Sequence, residues 1–173
     1  FATLDPTMRK IVLPNGTEVI LSDTVGFISD LPHELVMAFR ATLEEVLNAD
    51  IILHVRDIAN SDMAAQCEDV LKVLENLGLH DIKYSDNYIE VLNKTDLLLK
   101  EELQNWKNRV ANQQNIVLTS AYSGDGCELL LELIEQKLTS SFVKCTVVVP
   151  AEDGKSIAWL HQNGQEIGRA SCR

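Results

Sequence analysis

The sequence predicts an α/β fold: a mostly parallel sheet covered by helices on both faces. Short apolar runs (Ile51–Val55, Tyr88–Leu92, Ile116–Leu118) alternate with stretches of helical periodicity. Asp23, Asn93 and Ser120 fall at or just after the carboxyl ends of such runs, where open α/β sheets bind ligands. The 173 residues, 46% apolar and 24% charged, suffice for one domain with a sizeable core and part of a second.

Phe1–Thr7 is polar, holds Pro6 and lacks periodicity, so it reads as a loop. Arg9–Leu13 and Thr17–Leu21 flank Pro14-Asn15-Gly16, and Asn-Gly between β-branched runs predicts an antiparallel hairpin. Its second strand delivers Asp23. Leu31-Pro32-His33-Glu34 opens a helix, proline suiting the first turn, with Leu35, Phe39, Leu43 and Leu47 on one stripe. After the strand Ile51–Val55, Asn60-Ser61-Asp62 caps a helix whose Val70, Leu71, Leu74 and Leu77 face inward, and Gly78 ends it. The strand Tyr88–Leu92 leads to Asn93, and a helix follows through Leu103, Trp106 and Val110. Ile116–Leu118 is the next strand, and the last helix carries Leu129, Leu130, Leu133, Ile134 and Leu138. A boundary near Ser140-Ser141 separates residues 1–140 from a new strand, Phe142–Pro150, and a short helical stretch, Gly154–Leu160. Residues 141–165 thus read as the start of a small α/β domain. Residues 166–173 fit neither period and read as a non-native tail of adapter origin.

A net charge of −11 excludes non-specific attraction to nucleic acid, so an RNA-containing partner requires a local patch or residues elsewhere. Cys67, Cys127, Cys145 and Cys172 stand apart without metal-ligand spacing and read as reduced thiols of a cytoplasmic protein. No apolar run is long enough to span a bilayer, and no signal peptide is present.

Chemistry concentrates in three loops. Asp23-Thr24-Val25-Gly26 places a carboxylate and a glycine after a strand, as a Mg²⁺ and terminal-phosphate site requires. Asn93-Lys94-Thr95-Asp96 offers Asp96 to the N1–H and N2–H₂ edge of guanine, which adenine does not present. An unpaired buried polar group costs roughly 1–3 kcal/mol, enough to discriminate against ATP. Asn93 would tie the loops together, and the stem of Lys94 would lie along the base. Ser120-Ala121-Tyr122 would back the base, the Ala121 N–H facing guanine O6. The three loops in this order point to binding of GTP and GDP. Asp96 as a helix N-cap, Thr3 as an ordinary loop threonine, His33 as a solvated first-turn residue and His54 as a satisfied strand histidine are the structural alternatives.

Phe1–Thr7, Leu21–Ile28, Leu31–Val36 and Ala38–Glu45 together resemble the HflX translational GTPases, and the similarity extends to about residue 165. The resemblance implies a Ras-like P-loop NTPase G domain that hydrolyses GTP. It makes Thr3 and Asp23 the Mg²⁺ ligands, Asp23 and Gly26 the switch II pair, and Asn93, Lys94 and Asp96 the guanine readers. It also implies binding to the large ribosomal subunit, and ribosome splitting or rescue under stress. Phe27 stands where many such enzymes carry a water-orienting glutamine. Intrinsic hydrolysis is therefore expected to be slow and stimulated by a partner.

These residues contain no G-x-x-x-x-G-K-S/T loop, the motif that cradles phosphates. The expectation is an incomplete G domain whose first strand and P-loop precede Phe1, leaving neighbouring strand edges unpaired. Alone, the piece is expected neither to hydrolyse GTP nor to bind it tightly. An Obg- or Era-like ribosome-assembly GTPase and a non-catalytic GTPase-like binding module are the competing readings.

Overall fold

The computed structural model describes residues 7–23, 45–140, 145–164 and 168. The chain divides into two compact units, residues 1–141 and 142–173.

In the first unit, β1 (Thr7–Val12) pairs antiparallel with β2 (Glu18–Asp23), Val12 opposite Glu18 and Thr7 opposite Asp23. The Leu13 N–H donates to the Thr17 carbonyl at 2.8 Å, and the Gly16 N–H returns to the Leu13 carbonyl at 2.8 Å. This closure needs Gly16 at φ +89°, a conformation that side chains disfavour. Asn15 Oδ1 accepts the Thr17 N–H at 2.8 Å, so the Asn-Gly pair builds the turn as predicted.

The second sheet has β3 (Ile52–Asp57), β4 (Tyr88–Asn93) and β5 (Ile116–Leu118), all parallel, with β4 in the middle. Its strands connect through α1 (Met63–Asn76) and α2 (Lys100–Val110), and α3 (Cys127–Thr139) follows β5. Alternation along β4 divides the core in two. Tyr88 joins Leu74 and Ile82, with Val70, Leu71 and Leu77 of α1 and its end packed against them. Ile89 and Val91 turn to the other face, against Ile134 of α3 and Leu13 of the hairpin, with Leu130, Leu131, Leu133 and Leu138 around them. Each fully buried Leu or Ile contributes about 1.5–3 kcal/mol, so β4 is where the two faces are held together. Leu129 is 63% exposed, while Leu131 packs inward. The run Leu129-Leu130-Leu131 is apolar all round, and the packing sets the helix phase.

α1 starts at Met63 with Asp62 at its N-cap, but the Asp62 side chain makes no capping bond. Asn60 Oδ1 instead accepts the Asp62 N–H at 2.8 Å and shapes the approach to the helix. The far end closes as expected: with Gly78 at φ +93°, its N–H donates to Glu75 O and the Leu79 N–H to Leu74 O.

Between β3 and β4 lies a buried polar pair of pairs. His54 is 8% exposed and hydrogen-bonds the Tyr88 hydroxyl through Nδ1, while the Arg56 guanidinium pairs with the Glu90 carboxylate. Burial, with the Arg56 and Lys83 charges, lowers the His54 pKa to about 4. Burial, foremost, raises that of Tyr88.

Among the described residues β2 pairs only with β1, and β3 only with β4. Among the described residues the strands form two separate sheets, each with an edge that has no ladder partner there. In the second unit, residues 145–150 have no strand pairing, unlike the predicted strand. β-Branched residues favour extended backbone, but a strand also needs a neighbour to bond, and none is described here. α4 (Gly154–Asn163) follows, capped by Asp153, which accepts the Ser156 N–H at 3.1 Å and hydroxyl at 2.6 Å. The helix predicted from Leu31, apart from helical residues 45–47, lies outside the described residues, as do Ser141–Lys144 and most of the 166–173 tail.

Candidate functional site: the loops at the carboxyl rim

The parallel sheet carries its functional groups at one rim, because β3, β4 and β5 all end there. β4 ends at Asn93, and the chain then turns through Lys94 in the left-handed region, φ +70°. This kink turns the Thr95–Leu97 3₁₀ segment across toward β5. Thr95 locks the crossing: its N–H and hydroxyl both donate to the Thr119 carbonyl, at 3.1 and 2.9 Å. The Thr119 N–H donates to Leu92 O at 2.9 Å, extending the β4–β5 ladder into the loops. Thr95 and Thr119 are buried, and neither was singled out from sequence.

The two loops are then stitched by side chains. Asn93 Oδ1 accepts the Ala121 N–H at 2.9 Å and the Thr119 hydroxyl at 3.4 Å. Ser120, fully buried, donates its hydroxyl to Asp96 Oδ1 and accepts the Ser123 N–H at 3.1 Å. Asp96 is itself exposed. One carboxylate oxygen is therefore fixed by Ser120 while the acid remains open to accept further donors. The pair of N–H donors on a guanine edge matches that acceptor; the single exocyclic amine of adenine does not. The Ala121 N–H, expected to face guanine O6, is engaged by Asn93 in this structure. A base taking that donor must share it with Asn93 or displace it. Tyr122 is 92% exposed at the loop tip.

Gly126 anchors the far end of this loop. It sits at φ +73° as the N-cap of α3, and a Cβ there would lie 2.0 Å from the Leu118 carbonyl oxygen. Backbone packs directly on backbone. The Ser120 N–H donates to Asp125 O, and the Gly124 N–H to Ser120 O, both at 2.8 Å.

On the other flank of Asn93 stands Asp57, the last residue of β3 and its register partner. Asp57 Oδ2 accepts Lys94 Nζ at 2.6 Å, and Oδ1 accepts the Ala59 N–H at 3.0 Å. The hydrogen bond from Lys94 is the foremost cause holding the Asp57 carboxyl below its usual range. Sequence reading missed Asp57. Its only signal is its place at the end of a parallel strand, since its partner lies 37 residues away.

The structure thus gathers Asn93, Lys94, Asp96, Ser120, Ala121 and Tyr122 on the three-stranded sheet. Asp23 is exposed at the end of β2, in the separate hairpin sheet. As a hard oxygen donor at a strand end it suits Mg²⁺. Thr3, Thr24, Val25, Gly26, Phe27 and His33 lie outside the described residues. No helix among the described residues is long and apolar enough to cross a membrane.

Comparison with known proteins gives two family matches. Residues 1–94 match a model described as "50S ribosome-binding GTPase", and residues 105–171 match "HflX C-terminal domain". The chain is 44% identical over 167 residues to the GTPase HflX of Caldanaerobacter subterraneus, an alignment covering 96% of this chain and 36% of that protein. It is 38% identical over 162 residues to the GTPase HflX of Escherichia coli, covering 94% of this chain and 37% of that protein. The chain therefore spans little more than a third of the length of these relatives. Among solved structures, a glycine-to-proline variant of SsGBP is similar with a TM-score of 0.59 at 24% identity, covering 79% of this chain and 48% of that one. That likeness concerns the fold.

Proposed function

Because the chain belongs to the HflX family of GTPases, we propose that its rim loops are the base-reading half of a GTP site. In the whole protein this site serves hydrolysis of GTP to GDP and phosphate. The observation that carries the reading is the stitching of Asn93-Lys94-Thr95-Asp96 to Ser120-Ala121 through Asn93–Ala121 and Ser120–Asp96. Such a joint fixes an acceptor where a guanine edge presents donors, and a simple strand-to-helix turn has no need of it.

The residues have distinct tasks. Asp96 accepts from guanine and excludes adenine by leaving itself unpaired against it. Ser120 holds Asp96, Asn93 sets the spacing of the loops, and Lys94 lays its stem along the base. Asp23 and Thr3 would hold Mg²⁺, which neutralises phosphate charge when bound. Thr24, Val25 and Gly26, next to Asp23 in sequence, are the residues we assign to the terminal phosphate. With phenylalanine at 27, which cannot hold a water by hydrogen bonding, hydrolysis is slow in isolation and stimulated by a partner. The partner we propose is the large ribosomal subunit, supported by the match of residues 1–94 to a family of 50S ribosome-binding GTPases. Splitting or rescue of ribosomes under stress, in the cytoplasm, is the cellular role consistent with it.

The test is a titration of the gene product carrying this chain with fluorescent GDP and ADP. Tight binding of GDP with a large preference over ADP supports the reading; equal binding of both refutes it.

A further inference from the structure

We propose that Asp57 is a positioning residue of the guanine site, acting through Lys94 by pinning its ammonium on the β3 side of the rim. The inference rests on the guanine reading above and adds a residue to it. β4 is the central strand, so the loop after Asn93 has two flanks: Ser120-Ala121 of the β5 side and Asp57 of the β3 side. Asn93 and Asp96 are tied toward β5, by contacts to Ala121 and Ser120. Lys94 goes the other way, its Nζ 2.6 Å from Asp57 Oδ2. The lysine stem is therefore stretched away from the mouth bounded by Asp96 and Ala121, and its methylenes form a wall rather than a plug.

Asp57 is built to hold it there. Its other oxygen accepts the Ala59 N–H at 3.0 Å, which fixes the carboxylate against the loop after β3. The side chain of Asp57 is 28% exposed and that of Lys94 51%, so a free lysine would have many solvated rotamers. Lys94 also holds a left-handed backbone, φ +70°, which a non-glycine residue seldom adopts. Together the kink and the ion pair predetermine where the stem lies, so that a bound purine does not bear the entropy of ordering it.

The experiment measures GDP and ADP affinity of the gene product for wild type, D57N, K94M and the double variant, at 0.05 M and about 1 M salt, with thermal melts of each. D57N is expected to weaken GDP binding about three- to five-fold at low salt, the range for a partly exposed ion pair. Its preference for guanine over adenine should stay intact, since Asp96 is untouched. The deficit should shrink at high salt, and K94M should add nothing further in the D57N background. Losses that multiply in the double variant, a deficit indifferent to salt, or an affinity loss explained wholly by unfolded protein overturn the proposal. A wild type with no guanine preference would sink the base-site reading and the proposal together. A guanine-selective wild type with unaffected D57N sinks the proposal alone.

Discussion

Gly126→Ala tests the construction of the base loop at its tightest point. A Cβ at this position would lie 2.0 Å from the Leu118 carbonyl oxygen, 3.1 Å from its carbon and 3.3 Å from Thr119 Cα. All three are backbone atoms of β5 and its extension, so no rotamer change relieves the clash. The carbonyl must move by about 1.5 Å to restore an ordinary contact, or α3 must back away. Overpacking of this kind costs about 1–3 kcal/mol, and a side chain at φ +73° adds about 1–2 kcal/mol. The expected loss is roughly 2–5 kcal/mol in denaturant unfolding. Guanine-nucleotide affinity of the folded protein should fall as well, because Thr119 and Ser120 carry the contacts to Thr95 and Asp96. Gly124→Ala is the control: it also has positive φ, but its Cβ would meet nothing within 4 Å. It should lose only the conformational share. If Gly126→Ala is no worse than Gly124→Ala, the backbone-on-backbone account of this loop is wrong.

Ser120→Ala removes the hydroxyl that fixes Asp96 and leaves the Ser123 N–H without its acceptor. GDP affinity should drop about ten-fold, by calorimetric titration, from roughly 1–2 kcal/mol of lost orientation. An unchanged affinity would contradict the role given to Ser120. His54 predicts a pH dependence: its folded pKa is about 4 against an unfolded 6.5, so the unfolded chain takes up the proton first. Stability is therefore full above pH 6.5 and falls as pH drops toward 4, by about 3 kcal/mol for this group. Urea midpoints across that window should slope less in the His54→Phe/Tyr88→Phe double variant, and equal slopes would remove His54 from the account. Finally, the 173-residue chain by itself, without a phosphate-cradling motif in its sequence, should bind GDP no better than weakly; micromolar affinity by fluorescence titration would refute that.

Much of this was legible in the sequence because of spacing. Parallel strands that end in polar loops put Asn93, Asp96 and Ser120 on one rim, and the Asn-Gly turn and Gly78 cap are local signals that the structure reproduces. What escaped was decided by contacts across the chain. Asp57 has no motif of its own, and its meaning comes from the β3–β4 register that sets it beside Asn93. The Ala121 N–H is captured by Asn93, an arrangement visible only once the loops are placed together. Three consecutive leucines, Leu129 to Leu131, satisfy any helical phase, and packing turns Leu130, Leu131, Leu133 and Ile134 of α3 inward while Leu129 stays exposed. Val147-Val148-Val149 has strand chemistry, yet strand pairing depends on a neighbour that composition does not supply.

The most direct measurement exchanges Asp96 for asparagine in the gene product and compares GDP with xanthosine diphosphate. Xanthine replaces the guanine amine by a carbonyl, so an amide at position 96 can donate where the carboxylate only accepts. Asp96→Asn is expected to lose GDP affinity by ten-fold or more and to gain xanthine nucleotide, about 1.4 kcal/mol for each factor of ten. A variant that keeps the wild-type order of preference would contradict it.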